Sequence, residues 1–134
     1  MFNKLTVVHV VVNDAEQAAK DYAENFGLEV TNKVDKSEQG FRAVAMALGN
    51  SAIEFLEPLG DDQGPLRKFL GSRGEGVYMM GWEVDDVEQT VTELQAKGIR
   101  LLNAEPEARA AGLNTFIHPK FAHGVLVELI EKAN

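Results

Sequence analysis

Apolar positions along this chain alternate between a period of two and a period of about four, and the order of those rhythms occurs twice. The opening "LTVVHVVV" is an almost unbroken apolar run and predicts a strand buried on both faces. From Asp14 the spacing changes: Ala18, Tyr22 and Phe26 recur every fourth residue and predict a buried helical stripe, with Asp14 as N-cap and Gly27 as the stop. "GLEVTNKV" and "FRAVAMAL" read as strands around a turn at Gly40, and Gly49-Asn50 turns tightly into "SAIEFLEP" to complete a hairpin. Pro58 to Gly64 reads as loop, and Pro65 starts the short helix "PLRKFLGS". "GEGVYMMGWEV" is the next strand, followed by Asp85-Asp86 and a helix through Lys97. "IRLLN", a loop from Ala104 to Leu113, and the strands "NTFIHP" and "GVLVELIE" close the chain. The predicted order is βαβββ, twice.

The two halves also share letters. "VHVVVNDAEQAAKDYAENFG" (Val8–Gly27) is echoed by "MGWEVDDVEQTVTELQAKG" (Met80–Gly98), with Asp14 answering to Asp86 and Glu16-Gln17 to Glu88-Gln89. The predicted class is therefore α+β. Modules 1–58 and 76–134, joined by 59–75, form one domain over 1–134, with a curved mixed sheet around a groove. Small-molecule sites favour such concave places.

Composition narrows the function. The 134 residues suit one domain, and 45% hydrophobic with 25% charged residues is ordinary for a globular chain. No apolar run is long enough to span a bilayer, and "MFNKLTVV" lacks the stretch and cleavage site of a signal peptide, so a cytoplasmic location is expected. With no cysteine there is no disulfide or thiolate site, and a metal would need His, Asp or Glu. A net charge of −8 without a Lys/Arg-rich stripe argues against nucleic acid and anionic membrane as partners. It also makes a polyanionic ligand less natural unless local basic residues receive it.

Four strings, "SEQGFRAVAMALGNSAIEFLEPLG", "KFLGSRGEGV", "FIHPK" and "HGVLVEL", stand in an order and spacing that resembles the vicinal oxygen chelate superfamily of glyoxalases, bleomycin-resistance proteins and extradiol dioxygenases. Within it the chain is most similar to the methylmalonyl-CoA epimerases. The resemblance implies a divalent metal held by a His on the first strand of each half and a carboxylate or amide on the last. It puts the carboxylates at Glu54 and Glu128. It puts the imidazoles at Val7, seven residues before Asp14, and at Met79, after Tyr78, so both histidines are missing. Neither Val nor Met suits the hard or borderline ions of this superfamily. His9 shares a strand face with Val7, but two residues along a strand is roughly 6.6–7 Å. Metal–nitrogen bonds are only about 2.0–2.2 Å, so His9 as a ligand requires the ion to move. The metal is expected to be atypical or absent, and no organic cofactor is implied.

The resemblance also implies that Glu38, in "SEQG", is a second acid/base, paired with Glu128 to move a proton at a carbon beside a thioester. Each residue has a plainer reading too. Glu38 is also a turn residue before Gly40. Glu54 and Glu128 are solvated or paired carboxylates, or they converge on the groove and share a cation or a proton. His9 is a shifted ligand, a pocket acid/base or a satisfied interior histidine. His118 shapes the turn before Pro119, and Lys120 beside it could receive a phosphate or carboxylate. Arg42, Arg67, Lys68 and Arg73 are an anion-binding rim or solvated surface. Met79 is expected to face the groove with Val77 and Gly81, while Met80 and Trp82 pack in the core. Val7, His9, Tyr78, Met79, His118 and Lys120 make up the expected pocket. Two functions fit: an epimerase- or glyoxalase-type enzyme abstracting a proton beside the carbonyl of a small carbonyl or acyl-CoA substrate, or a metal-free protein that sequesters a small molecule. A homodimer is expected by the resemblance.

Overall fold

Asp14 and Asp86 do the same job in the two halves of the chain. Each accepts a hydrogen bond, both at 3.0 Å, from the backbone N–H three residues on, at Gln17 and Gln89, and so starts a helix. In the computed structural model, which describes residues 2–61, 63–102, 107–109 and 112–132, these helices sit in a repeated order. The elements are β1 (Phe2–Val11), α1 (Ala15–Phe26), β2 (Glu29–Lys36), β3 (Phe41–Leu48), β4 (Ser51–Pro58), α2 (Pro65–Arg73), β5 (Gly76–Val84), α3 (Val87–Ala96), β6 (Glu107–Arg109), β7 (Gly112–Ile117) and β8 (Leu126–Glu131). This is the predicted α+β class, βαβββ twice, with α2 between. The chain divides into two compact units, Val7–Tyr78 and Met1–Thr6 with Met79–Asn134, and β1 contributes to both.

In Val7–Tyr78, β2, β3 and β4 form an antiparallel meander and β4 pairs in parallel with β1. The hairpin turns use Gly40 (φ 85°) and Gly49 (φ 60°), a backbone region that side chains disfavour. α1 lies over β3 and β4, and its Ala15 and Ala19 form a buried cluster with Val12, Val44, Met46 and Phe55. Full burial of a side chain such as Phe55 is worth about 1.5–3 kcal/mol. The buried stripe of α1 thus differs from the expected one. Ala15 and Ala19 face the sheet, Ala18 and Tyr22 are half-buried, and Phe26 is 66% exposed. The small alanines allow close approach to the sheet, while Phe26, in the last turn before Gly27, rests edge-on against Tyr22 at 5.1 Å.

In the other unit, β5 runs parallel to β8, which continues through β7 to β6 in antiparallel pairs. α3 packs on β7 and β8, its Val87, Val91 and Leu94 forming a buried cluster with Val84, Leu101, Ile117, Val127 and Leu129. The start of β1 belongs here: Thr6 Oγ1 donates to the Gly81 carbonyl at 2.9 Å, and Phe2 meets Trp82 edge-to-face at 5.6 Å. Two strand expectations need correcting. "IRLLN" forms no strand among its described residues; only Leu101 bridges to Ile117. A short strand appears instead at Glu107–Arg109, within the stretch read as loop, because it folds back on β7. Residues 103–106 and 110–111 of these expectations lie outside the described residues.

A second capping device also repeats. Glu57, near the end of β4, accepts the Ala15 N–H at 2.9 Å, and Glu131, ending β8, accepts the Val87 N–H at 3.0 Å. Each helix therefore has two of its free N-terminal donors satisfied by carboxylates, one local and one from the sheet. Among the described residues no helix is long and apolar enough to cross a membrane.

Candidate functional site

The pairing of β1 with β4 decides what faces what. Val7 lies opposite Ala52, His9 opposite Glu54 and Val11 opposite Leu56. On the other side of β4, β3 supplies Ala47, Ala45 and Ala43 to the same face. His9 is 8% exposed, and its Nδ1 lies 3.0 Å from Glu54 Oε1. That is ion-pair distance, but it is off the line of a hydrogen bond, and His9 Nε2 has no hydrogen-bond partner among the described residues. His9 is thus interior, as one of its readings had it, but not satisfied.

The second unit repeats the strand geometry with different chemistry. Gly81 is opposite Glu128 where His9 was opposite Glu54, and Met79, two residues back on the same face, is opposite Leu126. Glu128 finds its partner on the other side, on β7. Asn114 Nδ2 donates to Glu128 Oε2 at 2.7 Å. Asn114 is 3% exposed, and its Oδ1 has no partner among the described residues. Reading the sequence missed Asn114. Its signal was a lone amide in "GLNTFI", two residues before Phe116 and so on the face that carries Glu128.

Glu38 is exposed, in the middle of the 3-10 turn Ser37–Gln39. That turn is held at both ends. Ser37 gives its backbone N–H at 3.0 Å and its hydroxyl to Asp35 Oδ1, and the left-handed Gly40 donates back to the Ser37 carbonyl at 3.0 Å. These two bonds, with Arg42 nearby, hold the Asp35 carboxyl below its ordinary range despite some desolvation. Tyr78 is half-buried, edge-on to Phe69 at 5.3 Å, and burial pushes its phenol up from the ordinary value.

The remaining expected pocket residues are more scattered in environment. His118 starts the turn Pro119–Phe121, and its Nδ1 accepts the Lys120 N–H at 3.1 Å, while the Lys120 side chain is exposed. Val77 is 56% exposed, whereas Met79 and Met80 are half-buried and Gly81 is buried, so the expected apolar floor of Val77, Met79 and Gly81 is not uniformly covered. Trp82 packs partly buried against the α3 core. Of the basic residues, Arg42 lies 4.0 Å from Glu57, Arg67 Nη2 donates to the Gly60 carbonyl, and Arg73 sits over the Phe69 ring at 5.4 Å. A hollow of about 400 Å³ opens on the α1 side of the first sheet, floored by Val10, Val12, Tyr22 and Phe55 and rimmed by Asp14 and Glu75. It contains none of the candidate site residues. A hollow there reflects the space beside the helix N-terminus, and the chemistry is better judged from Glu54 and Glu128.

The donor set does not fit the metal that the superfamily resemblance implies. Val7 and Met79 stand where imidazoles would be needed, one on the face of Glu54 and the other on the face of Glu128. A branched hydrocarbon is no ligand, and a thioether is a poor one for hard or borderline ions. Among the described residues no three His, Asp or Glu side chains are gathered to hold an ion. The two carboxylates have protein neighbours instead, His9 and Asn114.

Comparison with known proteins bears on this arrangement. The family model of the Glyoxalase/Bleomycin resistance protein/Dioxygenase superfamily matches residues 8–117. The mitochondrial methylmalonyl-CoA epimerase of Dictyostelium discoideum is 35% identical over 131 residues, 96% of this chain and 78% of that protein. The ethylmalonyl-CoA/methylmalonyl-CoA epimerase of Cereibacter sphaeroides is 35% identical over 132 residues, covering 96% of this chain and 98% of that one. A solved methylmalonyl-CoA epimerase in complex with methylmalonyl-CoA and ammonium superposes with a TM-score of 0.86 at 30% identity, over 99% of this chain and 96% of that one.

Proposed function

The chain belongs to the glyoxalase/bleomycin resistance protein/dioxygenase superfamily, and on that footing we propose that it is an acyl-CoA epimerase-type enzyme that inverts a carbon beside a thioester carbonyl. Glu128 and Glu38 are the proton-transfer pair. One, as carboxylate, takes the α-proton. The electrons of the broken C–H bond move into the enolate, with the charge on the thioester oxygen. The other, as carboxylic acid, returns a proton to the opposite face, and the next turnover runs in reverse. In this reading Glu54, Val7, His9, Tyr78, Met79 and His118 serve substrate binding, and the exposed Lys120 offers a cation for the ligand's phosphates. No divalent ion takes part, because the donor set at Val7 and Met79 does not fit one.

One observation carries this reading: Glu128 is kept on the last strand, and a buried amide, Asn114, fixes its carboxylate at 2.7 Å. A carboxylate that only solvates a surface has no need of such an anchor. The near full-length likeness to acyl-CoA epimerases supports the substrate class. The test is incorporation of deuterium from heavy water into methylmalonyl-CoA. Wild type is expected to exchange the α-proton, and Glu128→Gln to do so about 100-fold more slowly. Tight binding of the thioester without exchange by either form would favour sequestration, a reading to which the loss of imidazoles at positions 7 and 79 lends its weight.

A further inference from the structure

Removing a metal from this chemistry leaves a specific gap. The enolate oxygen gathers negative charge as the α-proton departs, and something must be placed to meet it. We propose that His9, anchored by Glu54, is that group: the imidazole donates a hydrogen bond from Nε2 to the thioester oxygen and takes over the polarising role of an ion. The proposal rests on the acyl-CoA reading above and adds to it the residue that stabilises the intermediate.

Three observations lead there. First, both His9 nitrogens are buried without an aligned hydrogen bond among the described residues. Leaving a buried polar group unmatched costs about 1–3 kcal/mol, and native proteins rarely tolerate it without a use for the group. Second, the ring is oriented. Nδ1 lies 3.0 Å from Glu54 Oε1, which turns Nε2, on the far side of the ring, away from the carboxylate and leaves it unclaimed. Third, the neighbouring strand β3 puts Ala45 directly opposite Glu54, with Ala43 and Ala47 on either side of it on this face, so its residues flanking the Glu54 side chain are small. The equivalent position in the other unit is Gly81, which has no side chain to offer. The polar substitute has therefore been built once, two residues along β1 from the vacant imidazole position at Val7.

The chemistry balances without any further reagent. The donor role requires the ring protonated on both nitrogens, with Nδ1–H toward the Glu54 carboxylate 3.0 Å away and Nε2–H toward the thioester oxygen. As the C–H electrons flow toward that oxygen, the Nε2–H···O bond strengthens and the imidazolium charge offsets the new negative charge. In that form the Glu54 carboxylate, 3.0 Å from Nδ1, holds the ring and offsets its charge, as a carboxylate does for the histidine of a catalytic triad. No bond to His9 forms or breaks, and the proton itself moves through the carboxyl pair.

The test uses the whole chain and three readouts. Deuterium incorporation into methylmalonyl-CoA is measured before and after exhaustive dialysis against EDTA, and the rates are expected to agree within about twofold, as expected of a step without a metal. His9→Leu is expected to slow exchange by about 10²–10³-fold, the loss typical of an oxyanion donor, with the dissociation constant for propionyl-CoA little changed. The infrared stretch of ¹³C-carbonyl propionyl-CoA is expected at lower frequency when bound to wild type, near the free value with His9→Leu, and between the two with His9→Gln, which keeps an N–H donor. Loss of exchange on EDTA treatment with recovery on adding manganese or cobalt overturns the proposal. So does exchange by His9→Leu at the wild-type rate. If wild type exchanges no α-proton at all, the acyl-CoA epimerase reading falls. The carbonyl stretch still judges His9 in that case, and no shift on binding to wild type overturns its role as donor.

Discussion

Asn114 and Glu128 are joined diagonally across the β7–β8 ladder, Nδ2 to Oε2 at 2.7 Å, although the register sets Asn114 opposite Ile130 and Glu128 opposite Phe116. The diagonal reach is within the span of an amide and a glutamate on one sheet face. It gives the carboxylate a donor from a residue that is itself almost completely buried.

That pair makes a stability prediction. Asn114→Ala removes the donor and leaves a small void, and should cost about 1–3 kcal/mol in urea unfolding. Asn114→Asp should be worse at neutral pH, because two carboxylates would then stand at hydrogen-bonding distance. Its deficit should shrink as the pH falls into the carboxyl range and one of them takes a proton. Equal destabilisation of Asn114→Asp at pH 7 and pH 4 would show that charge is not the cause.

The helix caps should respond alike. Asp14 and Asp86 make the same 3.0 Å bond to the third residue on, so Asp14→Ala and Asp86→Ala should each lose about 1 kcal/mol. Replacement by Asn at either place should restore most of it, since the amide oxygen can accept the same bond. Equilibrium denaturation of the four variants checks the expectation.

Asp35 should control how firmly Glu38 is held. Its carboxyl is held below the ordinary value of 3.8, first by the Ser37 hydroxyl and then by the Ser37 backbone N–H. A depressed carboxyl contributes stability that is present above its ordinary value and is lost as the pH falls through the lowered one. The Ser37 amide resonance should therefore titrate in acid with a midpoint below 3.8. Asp35→Asn, which loosens the turn but leaves Glu38 in place, should slow α-proton exchange while affecting thioester affinity much less.

Tyr78 should ionise late, because burial raises its phenol above 10.0. A phenol raised in the folded state contributes stability that is whole below its unfolded value and is lost as the pH rises through the folded one. An ultraviolet titration should show a late phenol ionisation that Tyr78→Phe removes. The same change should flatten part of the alkaline loss of stability above pH 10, the phenol's ordinary range.

How much of this was readable beforehand differs from residue to residue. Asp14, Gly27 and Asp86 were legible because capping is local: the side chain bonds to its own next turn, and the letters involved lie within a few positions. Ala15 and Ala19 were overlooked as the buried face of α1 because size drew attention to Tyr22 and Phe26. The sheet instead set which side of the helix it meets, and favoured the side that lets the backbone come close. The strand at Glu107–Arg109 was illegible because a three-residue edge strand carries too few letters to show a period.

The sequence by itself determined the βαβββ order, its repetition, the superfamily, and the fact that Val7 and Met79 cannot replace imidazoles, since all of these are properties of residue type and spacing along one chain. Only the tertiary structure decided that Glu54 has His9 for a neighbour and Glu128 has Asn114. Those pairs are made across strands, and which side chains meet there depends on register, a quantity set by the whole ladder and its packed face and not by any single segment.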